Sequence, residues 1–76
     1  EPSDPDGWYA RASVFIAIEQ YKLALADLHK VIEMAPESGP AYTNRGLVHL
    51  RLGDYAKAIE DSSRAIRLDG TDSTAY

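Results

Sequence analysis

Residues 41–69 read AYTNRGLVHLRLGDYAKAIEDSSRAIRLD, and this stretch decides the fold. Tyr42, Gly46, His49 and Leu50 fall at steps of three and four, Gly53-Asp54 interrupts, and Tyr55, Ala58, Ile59, Ser62, Ala65, Ile66 and Leu68 resume the rhythm up to Gly70. Steps of three and four place residues on one face of a helix, whereas Gly followed by Asp reads as a stop and a new N-cap. The stretch is therefore two helices joined by a short turn, the second capped by Asp54.

Upstream, the same pattern is already present. Sliding the chain by 34 positions pairs Trp8 with Tyr42, Arg11 with Arg45, Ala12 with Gly46, Val14 with Val48, Tyr21 with Tyr55, Ala24 with Ala58, Asp27 with Asp61 and Ile32 with Ile66. The exchanges Ile16/Leu50, Ile18/Leu52, Leu25/Ile59 and Met34/Leu68 keep the aliphatic register. A third copy opens at Ala75-Tyr76, which repeats Ala41-Tyr42. A recurring hairpin cannot bury its apolar face alone, so the period implies stacked units.

In the first unit Asp4 caps a helix with Pro5 in its first turn, where a missing N–H is harmless. Its apolar residues are Trp8, Ala12, Phe15 and Ile16, with Leu23 either at the end of that stripe or already in the next helix. The next helix runs from about Tyr21 to Ala35, carries Ala24, Leu25, Leu28, Val31 and Ile32, and ends at Pro36. Ser38-Gly39-Pro40 then opens the third helix as Asp4-Pro5 opened the first. Short turns between helices of similar length favour antiparallel neighbours. The expected fold is all-α: a single domain over 1–76, made of two helix–turn–helix hairpins over about 5–38 and 39–72, with 73–76 starting a third.

Composition narrows the function. Twelve acids against eight bases give a net charge of −4, which argues against a general nucleic-acid binder. The longest aliphatic run, Val14 to Ile18, is far short of the roughly 20 residues that insert in a bilayer. The absence of cysteine removes disulfides, thiolate nucleophiles and cysteine zinc sites. It leaves the compartment open, with the cytoplasm favoured. The chain opens at Glu1 without Met or any signal-peptide pattern, and reads as an excised piece.

A 34-residue helix–turn–helix unit with W-x2-L-G-x2-Y, then A, F and P, is the signature of the tetratricopeptide repeat. The second unit resembles it closely through Tyr42, Gly46, Gly53-Asp54-Tyr55, Ala58, Ala65 and Leu68-Asp69. It departs at His49 for an aromatic, Ser62 for a large residue and Gly70 for Pro. The first unit is similar but weaker, with Ala12 for Gly and Glu19-Gln20 for Gly-Asp. Independently of the family, Ala12, Ala24, Gly46 and Ala58 are small where helices cross and let the axes approach to about 8–10 Å. Trp8, Tyr21, Tyr42 and Tyr55 are expected to fill the wider gaps as core residues.

Catalytic chemistry finds little support. His29 and His49 lie on different helices; His49 takes a core position, and His29, beside Lys30, reads as solvated. Two histidines without cysteine do not complete a zinc site. Asp61 and Ser62-Ser63 are adjacent and point different ways on a helix, so they are not a nucleophile with its base. Asp27 and Asp61 read as hydrogen-bonding or solvated structural residues. No glycine-rich phosphate loop is present, and no cofactor is expected.

The resemblance implies a concave side lined by the first helix of each unit, where the family grips extended peptides. That stripe is expected to include Tyr9, Ser13, Ile16 and Ala17, then Thr43, Asn44, Leu47, Leu50 and Arg51; the chosen peptide-binding residues are Tyr9, Ser13, Asn44, Leu47 and Arg51. Asn44 offers an amide for a peptide backbone and Arg51 a fork for a carboxylate. A subclass that clamps the C-terminus of heat-shock chaperones uses Lys, Asn and Arg. Only Asn44 matches it; Tyr9, Ser13 and Thr74 stand at other key positions, and the last position lies beyond the chain. Residues 1–38 hold seven acids and three bases, against five of each in 39–76, which suggests either a solvated acidic face or a preference for basic partners.

The reading is a non-catalytic protein-interaction scaffold with a protein or peptide partner. Its rivals are a structural spacer or self-association module, and a regulatory dock for an enzyme domain elsewhere in the parent protein. Ile59, Ala65, Ile66 and Leu68 point toward an incomplete third unit, which predicts a homodimer through uncapped ends at high concentration.

Overall fold

The computed structural model describes residues 3–69 and holds four helices: α1 (Pro5–Ala17), α2 (Tyr21–Met34), α3 (Gly39–Arg51) and α4 (Tyr55–Asp69). No strand occurs among the described residues. Each expected cap is made. Asp4 Oδ1 accepts from the Gly7 amide at 2.8 Å, Ser38 Oγ from Ala41 at 3.3 Å, and Asp54 Oδ1 from Lys57 at 3.4 Å. These bonds satisfy amides that the first helical turn leaves without a partner. Only α2 starts without a side-chain cap, behind Gln20.

The two hairpin turns are copies of one another. The Gln20 amide donates to the Phe15 carbonyl at 2.7 Å and Glu19 to Ile16 at 3.0 Å. Thirty-four residues later Asp54 donates to His49 at 2.8 Å and Gly53 to Leu50 at 3.1 Å. Both are Schellman closures, which need a left-handed residue just after the helix. Gly53 fills that place at φ 85°, and Glu19 is held there at φ 63°. The first turn thus keeps the geometry of the second without its glycine.

The short turns fold α1 back on α2 and α3 back on α4, and α3 packs against α2 to join the hairpins. Val48 of α3 is fully buried with Ala12, Ala24 and Leu28, inside a ring that includes Phe15, Ile16, Tyr21 and Leu25. Ala41 completes a second cluster with Trp8 and Val31. The α3–α4 crossing depends on Gly46: a Cβ there would stand 3.2 Å from the Ala58 carbonyl oxygen and 3.1 Å from Ser62 Oγ.

Of the two placements open for Leu23, the one in the second helix holds, and there it faces outward. Three expectations change. Tyr55 is 63% exposed, because no described element lies against its side of α4. Ile16 packs on the Ala12–Ala24–Leu28 cluster and so belongs to the core rather than the inner stripe. The second helix ends at Met34, with Ala35 as its C-cap. The repeat boundary at 72 and the start of a third unit at 73–76 fall outside the described residues.

Candidate functional site

Two arginine–aspartate forks build the frame. Arg11 on α1 reaches Asp27 on α2 through Nε at 2.8 Å and Nη2 at 2.9 Å. Arg45 on α3 reaches Asp61 on α4 through Nε at 2.7 Å and Nη2 at 2.8 Å. Both aspartates are buried, and the planar guanidinium satisfies both oxygens at once. Of the two earlier readings of Asp27 and Asp61, the hydrogen-bonding one holds. Sequence reasoning did not pair them with arginine, although Arg11/Arg45 and Asp27/Asp61 recur with the same separation in each unit.

The second fork also reaches across the junction. Arg45 Nη1 lies 3.1 Å from His29 Nδ1 on α2. Arginine has only donors, so Nδ1 accepts and His29 is neutral in this contact. Burial, followed by the Arg45 charge, lowers the His29 pKa below its usual 6.5. The Asp61 hydrogen bond raises that of Arg45. His29 is exposed as expected, yet it is not merely solvated: it ties the first hairpin to the second. His49 is buried, with Nε2 at 3.6 Å from Asp61, too long for a hydrogen bond.

Over this frame lies a groove of about 600 Å³, lined by Tyr9 of α1, Glu37 and Pro40 near the start of α3, Thr43 and Asn44 of α3, and Ala65, Ile66 and Leu68 of α4, among others. A neighbouring groove of about 500 Å³ is lined by Leu47, Leu50, Tyr55, Ala58 and Ile59, with Thr43, Ser62 and Ile66 shared between the two. Tyr9 and Asn44 therefore come together, and Leu47 stands in the second groove. Ser13 and Arg51 line neither. The Ser13 hydroxyl donates to its own helix, at the Tyr9 carbonyl, 3.1 Å away. Ala17 is exposed on α1 outside both grooves. On α4, Ile59 and Ile66 are 67% and 64% exposed, whereas Ala65 is buried and Leu68 half-buried. Glu37 and Ser62 were missed as wall residues; they enter from a loop and from α4, outside the first-helix stripe. Thr74 lies outside the described residues.

Among the described residues no group of three or more His, Cys, Asp or Glu is placed to hold a metal, and no helix is long and apolar enough to cross a membrane.

Comparison with known proteins agrees with this architecture. The chain is 36% identical over 52 residues to the protein SGT1 homolog of Bos taurus, covering 68% of this chain and 15% of that protein. It is 36% identical over 59 residues to the Hsp70-Hsp90 organizing protein of Triticum aestivum, covering 78% and 10%. It is 37% identical over 67 residues to DnaJ homolog subfamily C member 3 of Rattus norvegicus, covering 84% and 13%. The chain thus spans less than a fifth of each of these relatives. The family model of the tetratricopeptide repeat matches residues 9–73. With the paired hairpins, the repeated turn and the small residues at the crossings, that match places the chain in the tetratricopeptide repeat family.

Proposed function

We propose that the chain is a non-catalytic protein-binding module that takes an extended partner segment along the groove where Tyr9 meets Asn44. The observation that carries this reading is the wall chemistry. Ala65, Ile66 and Leu68 offer apolar contact, while Thr43, Asn44 and Ser62 offer the few polar groups that fix a peptide backbone. Glu37 is the one charged residue among those lining residues, and it is an acid. The groove therefore suits a segment with an apolar side chain beside a lysine or arginine, and suits a free carboxylate poorly. The wheat relative is named for organizing Hsp70 and Hsp90, and a chaperone partner for this chain is compatible with that likeness.

The test is a fluorescence titration with two labelled peptide sets, one apolar-basic and one ending in acidic residues and a free carboxylate. The basic set is expected to bind more tightly, and Asn44→Ala to weaken it about tenfold. Equal binding of the two sets, or no effect of Asn44→Ala, removes the groove as the site. A second reading, self-association, is favoured by the exposure of Ile59 and Ile66 on α4.

A further inference from the structure

The seat that α3 occupies on the first hairpin has an image on the second hairpin, and among the described residues nothing fills that image. Within the chain, Val48 sits among Ala12, Ala24 and Leu28, flanked by Ile16, Tyr21 and Leu25. Advancing these by 34 gives Gly46, Ala58, Ser62, Leu50, Tyr55 and Ile59. All six line the groove of about 500 Å³.

The helix that fits such a seat is also duplicated. Moving α3 back by 34 turns Ala41 and Val48, which pack on the first hairpin, and Arg45, which reaches His29, into Gly7, Val14 and Arg11 of α1. Val48 is fully buried, whereas Val14 is 57% exposed. The α1 helix therefore presents the valine that α3 uses, and α3 and α4 present the hollow that α1 and α2 use to receive it.

Charge separates this joint from the one inside the chain. At the internal junction the incoming helix starts with Ser38 and Pro40, and the receiving helix ends with Lys30 and Glu33. Their images are Asp4 and Asp6 on the incoming side, and Arg64 and Arg67 on the receiving side. Both changes act together: the start of α1 becomes acidic and the end of α4 becomes basic.

We propose that α1 of a second copy seats on α3 and α4 of the first, so that the 34-residue stacking continues head to tail between chains. This inference rests on the self-association reading above and adds its geometry. A heterologous contact of this kind leaves one seat and one helix free in every dimer, and it does not close on itself. Growth therefore passes beyond two copies as concentration rises. Salt weakens it, because the acidic and basic ends face water.

Sedimentation of the 76-residue chain from micromolar to millimolar concentration, with Val14→Lys and Ile59→Lys, tests it. Both substituted positions are exposed, and circular dichroism checks that each variant keeps its helices. Wild type is expected to exceed the dimer mass. Each variant alone is expected to lose association by about tenfold or more. An equimolar mixture of the two is expected to recover a dimer and stop there, since one chain keeps its seat and the other its helix. A wild-type monomer at millimolar concentration overturns both the joint and self-association. A mass that stops at two, broken by Ile59→Lys but not by Val14→Lys, keeps self-association and overturns the head-to-tail joint.

Discussion

Glu19 and Gly53 occupy the same left-handed place in two copies of one turn, and exchanging their chemistry tests how much that place costs. An L-residue in the left-handed region is disfavoured by roughly 1–2 kcal/mol. Glu19→Gly removes this strain, while the extra freedom of glycine in the unfolded chain returns about 0.4–1 kcal/mol. The expected net gain is about 0.5–1 kcal/mol, or a rise of roughly 2–8 °C in Tm for a domain of this size. Glu19→Ala is the control, because it removes the exposed charge but keeps the Cβ. At Gly53 the reverse change is purely conformational: nothing stands within 4 Å of a Cβ placed there. Gly53→Ala should therefore lower stability by about 1 kcal/mol although space is available. Thermal melts by circular dichroism give all three values. If Glu19→Gly melts no higher than Glu19→Ala, or if Gly53→Ala is neutral, the left-handed strain is not what distinguishes the two turns.

Other sites give further expectations. Gly46→Leu and Ala58→Leu overpack the α3–α4 crossing and should each cost roughly 1–3 kcal/mol; unchanged melting of both would remove the crossing argument. Asp61→Ala leaves the Arg45 guanidinium without its fork and should destabilise by about 3–5 kcal/mol, whereas Glu33→Ala, which breaks the exposed contact with Lys30 at 3.4 Å, should cost under about 1 kcal/mol; urea unfolding ranks the two. His29 binds its proton less readily folded than unfolded, so its contribution to stability is present above pH 6.5 and is lost as pH falls from there through the lowered folded-state value. Melting curves between pH 7 and 5 should therefore be steeper for wild type than for His29→Gln; parallel curves contradict the contact with Arg45. The double variant Asn44→Ala, Arg51→Ala should keep its Tm and weaken partner binding, with Asn44→Ala supplying the loss, because Arg51 lines neither groove.

Period was legible in the residues, and with it nearly all of the fold. The capping groups, the small residues at the crossings and the apolar stripes are local, and a 34-residue shift exposes them without any knowledge of packing. What the period could not give is which faces end up covered. Tyr21 and Tyr55 are identical in the repeat, yet among the described residues only Tyr21 has another hairpin beside it, so burial differs where sequence does not. The groove shows the same limit. Asn44 and Tyr9 were readable as members of first-helix stripes, but Glu37 and Ser62 enter from a loop and a second helix, which no single-helix pattern brings together. The ion pairs fall between these cases. Arg11 with Asp27 and Arg45 with Asp61 are both sixteen residues apart, a spacing that joins no two residues on one helix but spans a hairpin. A charge pair repeated at that spacing in both units is a sequence signal for a buried fork. It also separates the two histidines: His29 reaches Arg45 only because the second hairpin stacks on the first, so its titration reports the junction rather than either hairpin alone.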